Sequence, residues 1–365
     1  MVHLAGAAGM TALADLLIRR IGATGPISLA DYMAECLLHP EHGYYTRAEP
    51  FGAAGDFITA PEISQMFGEL LGLWLAQGWL DQGAPARFVL AELGPGRGTL
   101  MADVLRATRG VPGFHAAARV VLVEASPRLR AIQRERLAPY PVSWADSVDA
   151  LPDGPLFLLA NEFFDALPVR QFARAGTGWA ETMVAVQDGR LVLARAAPAP
   201  LATLAPRLAD TQDGDVVEIC PAAPGMMQTI AARIAARGGA ALVVDYGGWH
   251  SLGDTVQALQ GHAYAGLLEA PGQADLTAHV DFEPLAHAAR AAGVVAHGPI
   301  GQGALLDRLG IGARAARLAQ SLTGPALDDH ITATRRLTHP DEMGTLFKAL
   351  AILPALAPLP AGFAS

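Results

Sequence analysis

Apolar residues along the chain follow two rhythms, and the switch between them divides the sequence. From residue 10 to 21 they recur every three or four positions (Met10, Leu13, Leu16, Leu17, Ile21) and stop at Gly22, which predicts a helix with one buried face. Ser28 is placed to cap a second helix, Leu29 to Leu38. No period holds from His39 to Tyr45 or from Gly52 to Ile63. Those stretches carry aromatic, acidic and hydroxyl residues, the composition of a binding loop. Helical spacing returns from Ile63 to Trp79 through Met66, Phe67, Leu70, Leu71, Trp74 and Leu75.

From residue 88 the pattern becomes strand–helix alternation. Largely apolar, β-rich runs at 88–93, 119–124, 142–144 and 155–160 read as strands, with helices at 99–108 and 127–137 between them. This succession predicts a parallel sheet covered by helices on both faces. Two β-rich runs around Asp188-Gly189 predict a hairpin inserted beside that sheet. Helix 225–237, strand 240–246, a glycine-rich loop, a helix near Phe282–Ala292 and a β-like Val294–Val295 follow. The expected fold is α/β: a Rossmann-like core with an N-terminal helical extension and active-site loop (1–85) and a hairpin insertion (171–215). The halves of the core span 86–170 and 216–310, and 311–365 packs on it as a C-terminal segment.

Composition narrows the function classes. The chain has 365 residues, 52% of them hydrophobic, and a net charge of −9, which gives no reason to expect nucleic acid as a partner. Cys36 and Cys220 lack CxxC spacing, and the eleven histidines form no HExxH pattern, so neither a disulfide nor a metal site is expected. No apolar run reaches membrane-span length, and the apolar tail from Leu350 is broken by Pro354, Pro358 and Pro360. No secretory signal is recognisable at the N-terminus. Lys348 is the sole lysine in an Ala-, Gly- and Pro-rich chain, which points to a GC-rich bacterial genome and, with the rest, to a cytoplasmic protein.

The chemistry centres on Glu92-Leu-Gly-Pro-Gly-Arg-Gly98. Gly94, Gly96 and Gly98 turn a buried strand into a helix and let backbone approach a ligand closely. Their GxGxG spacing fails the dinucleotide template at its third glycine, and no Gly-Lys-Ser/Thr follows for a phosphate loop. Glu92 would repel phosphate and suits a ligand with cationic or hydroxyl groups. Together these features point to S-adenosylmethionine (SAM). Glu124 ends the next strand, where a carboxylate accepts hydrogen bonds from ribose hydroxyls, and Asp146 follows the third strand within reach of an adenine amine. The fourth strand leads into Asn161-Glu-Phe-Phe-Asp165, where Asn161, Glu162 and Asp165 gather an amide and two carboxylates beside the cofactor strand. Two carboxylates suit a guanidinium, a rigid fork of donors that stays protonated near neutrality.

These stretches, with Gly55-Asp-Phe-Ile-Thr-Ala-Pro-Glu62, Val244-Asp-Tyr-Gly247 and Asp275-Leu-Thr-Ala-His-Val-Asp-Phe282, closely resemble the MidA-like SAM-dependent methyltransferases. Those are bacterial relatives of the mitochondrial protein arginine methyltransferase that assists respiratory complex I assembly. The resemblance implies SAM as methyl donor, arginine as acceptor with symmetric dimethylation as one outcome, and a complex I subunit or assembly intermediate as substrate. It places Gly94, Gly96 and Gly98 on the cofactor, Glu124 on its ribose, and Asn161 to Asp165 at the acceptor. After Gly301 the family shows an aromatic-containing helix where this chain reads Gly-Ala-Leu-Leu-Asp-Arg-Leu, a difference that bears on substrate choice. We expect the loop with Asp56, Thr59 and Glu62 to fold over SAM, Asp56 and Thr59 contacting it. Asp245 and His279 are second-rank candidates. On the residues alone, a small-molecule methyltransferase and a non-catalytic complex I assembly factor that keeps the fold stay open. The expected partners are a protein substrate and a second copy of the chain, without membrane insertion.

Overall fold

A computed structural model of the chain describes residues 11–47 and 59–363. The chain forms two compact units. One comprises 1–57, 166–222 and 251–279; the other comprises 58–165, 223–250 and 280–365.

The larger unit is built on a sheet whose main path has seven strands, β1 (Phe88–Leu93), β2 (Ala118–Val123), β3 (Val142–Ala145), β4 (Leu156–Asn161), β5 (Gly239–Gly248), β6 (Val294–Gly301) and β7 (Phe347–Pro354). They lie in the order β6-β7-β5-β4-β1-β2-β3, and the short strand Val280–Asp281 pairs with the end of β5. Neighbours from β3 to β5 are parallel, whereas β7 runs antiparallel to both β5 and β6. The wholly parallel sheet expected from the alternation is therefore corrected to a mixed one. Apolar Leu350 to Leu353, which reads as a tail, is buried as the strand between β5 and β6 because both its faces need cover.

Every residue of β1 is buried. Phe88 at its start stacks among Trp79, Phe114 and Phe157, with ring centroids 5.0–5.9 Å apart. Helix Gln65–Asp81 covers this face beside helix Thr99–Ala107. Buried Glu69 on the first of these pairs with Arg106 (2.5 Å) and, through both oxygens, with Arg314 (2.7 and 3.0 Å), which ties helix Ile311–Ala319 to the same layer.

In the other unit, helices Ala12–Thr24 and Leu29–Leu38 pack on strands, the second opening in a capping box between Ser28 and Asp31. Strand Gly178–Gln187 turns at Asp188 and Gly189, both at positive φ, into Arg190–Arg195. That hairpin joins a five-stranded sheet with Ile27–Ser28, Arg170–Ala175 and Val216–Ile219. The glycine-rich stretch after residue 250 forms a small three-stranded sheet, Gln257–Gln260, Ala263–Ala265 and Asp275–Thr277. The units thus interleave in sequence, with joins at 57, 165, 222, 250 and 279. Apolar faces of the first two helices are buried against strands 178–187 and 275–277, and that grouping follows contact across the chain instead of composition along it. Cys36 and Cys220 form no disulfide. Among the described residues no helix is long and apolar enough to cross a membrane, and no cluster of histidine, cysteine or carboxylate side chains is arranged to hold a metal.

Candidate active site

The carboxyl ends of β1, β2, β4 and β5 converge where the strand order switches direction, between β1 and β4. Glu92 lies one residue before the end of β1 and is 3% exposed; its Oε2 has no partner among the described residues. Burial pushes this carboxyl up to about 8, against a smaller opposing effect of the Met101 amide. A buried oxygen without a donor fits a ligand that brings one.

The turn after β1 passes through Gly94 at φ +55°, and a Cβ there would stand 2.8 Å from Cδ2 of Phe163. The donor turn and the Asn161–Asp165 loop therefore touch at a position where only glycine fits without displacement. The Gly96 carbonyl accepts from Gln133 Nε2 at 2.7 Å, and the same nitrogen reaches Glu124 Oε2 at 3.3 Å. Trp144 Nε1 donates to Gln133 Oε1 at 2.7 Å, so this fully buried amide fixes the turn against β2 and β3. Sequence reading missed Gln133. Its one signal is an uncharged polar residue within the arginine-rich helix Pro127–Arg136.

Glu124 is 9% exposed, and its Oε1 accepts the Ser126 amide at 2.7 Å. Burial raises its proton affinity, and the bonds from Ser126 and Gln133 oppose that rise. Asp146 is different: its side chain is 88% exposed and pairs with Arg130 at 2.5 Å. Arg130 also donates to the Glu124 carbonyl at 2.7 Å. This carboxylate is solvated and ion-paired where Glu92 and Glu124 are buried.

At the end of β4, Asn161 Nδ2 donates to Glu162 Oε1 at 3.1 Å, and Asn161 Oδ1 is buried without a partner among the described residues. Glu162 takes φ +48°, a conformation that non-glycine residues seldom adopt, and its amide donates to the Val244 carbonyl at 2.9 Å. Its Oε1 also accepts the Ala60 amide at 3.0 Å. Burial raises the Glu162 carboxyl to about 7; the Ala60 and Asn161 bonds oppose this, and the Asp165 charge adds to it. Asp165 is 5% exposed. Asp245, which sequence reading ranks second, is fully buried and accepts the amides of this loop. His279 lies in the other unit, where its amide donates to Thr255 Oγ1 at 2.9 Å.

Glu62 accepts from the Thr99 hydroxyl, which in turn accepts from Arg136, and the Arg136–Glu62 separation is 3.9 Å. The turn Ala60–Ile63 therefore bonds to helix 99–107 through Glu62 and to the Glu162 carboxylate through the Ala60 amide. Thr59 begins that turn with its carbonyl accepting from Glu62 and Ile63, and its hydroxyl makes no cap. Asp56 lies outside the described residues.

The buried acids make ligand-free stability depend on pH. The Glu92 carboxyl is raised from 4.5 to about 8, so the folded chain holds a proton that the unfolded chain releases across that window. Its contribution is full below about 4.5 and is lost as the pH rises towards 8. We expect the melting temperature to fall between pH 5 and 8, and Glu92→Gln to flatten that fall. A variant whose melting temperature declines as steeply as that of the parent chain would exclude this role.

The orphaned Glu92 oxygen, the glycine cradle and buried Glu124 together fit SAM. The family profile of S-adenosyl-L-methionine-dependent methyltransferase matches residues 70–300. Protein arginine methyltransferase NDUFAF7, mitochondrial, of Danio rerio is 39% identical over 92% of this chain and 86% of its own length. The Homo sapiens protein of that name is 38% identical over 93% and 82%. A crystal structure of a COG1565 superfamily member from Burkholderia thailandensis, bound to S-adenosyl-homocysteine, matches with a TM-score of 0.84. The two are 32% identical, over 97% of this chain and 94% of that one. The chain belongs to this family of S-adenosyl-L-methionine-dependent methyltransferases.

Proposed function

We propose that the chain methylates an arginine side chain of a protein. The observation that carries this reading is the Glu162 carboxylate, held beside the donor turn by the Ala60 amide and Asn161, with Asp165 close by in a buried loop. Glu92, Gly94, Gly96, Gly98 and Glu124 hold SAM, which supplies an electrophilic methyl group. Thr59 and Asp56 contribute from the loop before helix 65–81. Glu162 and Asp165 bind the guanidinium, orient one nitrogen and take up the proton that leaves as the N–C bond forms in place of the methyl–sulfur bond of SAM. Asn161 keeps Glu162 in place. The name carried by the mitochondrial relatives supports arginine as acceptor. With the sequence resemblance, it makes a subunit or assembly intermediate of respiratory complex I the proposed substrate, symmetric dimethylation the proposed product, and the bacterial cytoplasm the proposed location.

The test is incubation of the protein with methyl-labelled SAM and extract from cells lacking this gene, followed by mass spectrometry. Methylarginine on one protein is the expected result. Label confined to small molecules would replace this reading with small-molecule methylation, and SAM binding without transfer would replace it with an assembly role.

A further inference from the structure

Asp245 sits on β5 one residue beyond Val244, the register partner of Asn161, and is fully buried. Its Oδ2 accepts three successive amides of the next strand's loop: Phe163 at 3.2 Å, Phe164 at 2.9 Å and Asp165 at 3.3 Å. Its Oδ1 accepts the Tyr246 amide at 3.0 Å. The neighbouring Val244 carbonyl takes the Glu162 amide at 2.9 Å, so β5 fixes four consecutive amides, from Glu162 to Asp165. Burying a carboxylate beside two others is costly, and chain packing alone does not ask for it. Lys348, its register partner on β7, directs its amine to the Thr345 carbonyl.

We propose that Asp245 is a positioning residue for methyl transfer: by gathering the amides of Phe163, Phe164 and Asp165 on one oxygen, it holds the acceptor carboxylate Glu162 in its left-handed turn. This rests on Glu162 serving the acceptor. Without the oxygen, the three amides lose a shared acceptor in a buried place, and the turn relaxes from its unfavourable φ. The amides that Asp245 is seen to accept belong to Phe163, Phe164, Asp165 and Tyr246, so the expected change in SAM affinity is small.

Two variants separate position from charge. Asp245→Asn keeps an oxygen for the three amides, loses the negative charge and gives up the bond from the Tyr246 amide, whereas Asp245→Ala loses every one of these. For Asp245→Ala we expect kcat to fall on the order of ten- to a hundredfold, with the Kd for SAM within about twofold in calorimetry. Amide hydrogen exchange at Phe163 to Asp165 should rise more than about tenfold. Asp245→Asn should retain kcat within about threefold and keep those amides protected. Unchanged exchange in Asp245→Ala overturns the proposal. So does a loss beyond about tenfold in Asp245→Asn with the three amides still protected, which alone decides the matter where the alanine variant does not fold. Failure of the unmodified chain to label any protein overturns the acceptor reading instead, and exchange at the three amides still decides the role of Asp245.

Discussion

Replacing Glu162 by glutamine is expected to slow methyl transfer by about 10²- to 10⁴-fold while SAM affinity changes by less than about twofold. Glutamine keeps an oxygen in place of Oε1, so the bonds from the Ala60 amide and Asn161 Nδ2 survive and the turn keeps its shape. It removes the charge that pairs with a guanidinium and the oxygen that takes its proton. The pH profile of the unmodified enzyme should show the same group. Burial holds the Glu162 carboxyl protonated up to about 7, so transfer should rise through that pH as the carboxylate forms and fall off below it. Label transfer at saturating SAM and calorimetric titration with SAM give the two numbers. A variant that keeps more than a tenth of the rate, or loses SAM affinity in parallel, would remove Glu162 from the acceptor role.

Gly247→Ala is expected to cost more than about 4 kcal/mol and to leave little soluble protein. Gly247 lies at φ +153° where β5 pairs with Val280, and a Cβ there would stand 2.1 Å from the Val280 carbonyl oxygen and 2.7 Å from its nitrogen. Both atoms are backbone, so no rotamer change relieves the overlap. The next residue gives an internal control. At Gly248 the nearest atom to an added Cβ is the His250 carbonyl oxygen at 3.5 Å, an ordinary contact, so Gly248→Ala should stay within about 1 kcal/mol of the parent. Urea midpoints at constant m measure both. Equal midpoints for the two variants would show that the 247–280 pairing yields easily.

The donor half of the site is legible in the sequence because its parts are local. An apolar run, a glycine turn and a following helix lie within twenty residues, and β1 occupies the 88–93 predicted for it. The capping box at Ser28 and the hairpin at Asp188-Gly189 are legible for the same reason: each needs only neighbours a few residues away. Gln133, Asp245 and β7 are not. Gln133 acts through partners in three other segments, and Asp245 becomes significant only when β5 is laid beside β4. For β7 the apolar run itself is plain, but nothing nearby says that it enters the sheet between two strands running the other way. For Asp146 the place after a strand is legible, but not its ion pair with an arginine sixteen residues earlier.

The position of β7 also bears on how the protein is made. Strand β5, which carries Asp245, finds one neighbour at residues 156–161 and the other only at Phe347–Pro354. During synthesis about a hundred residues are added between the end of β5 and the start of β7. Throughout that interval an apolar strand has an unpaired edge, the kind of surface that captures other chains. Pairings this distant in sequence also form slowly. Substitutions in Leu350 to Leu353 should therefore show first as aggregation and low yield of newly made enzyme, before any defect in the turnover of molecules already folded.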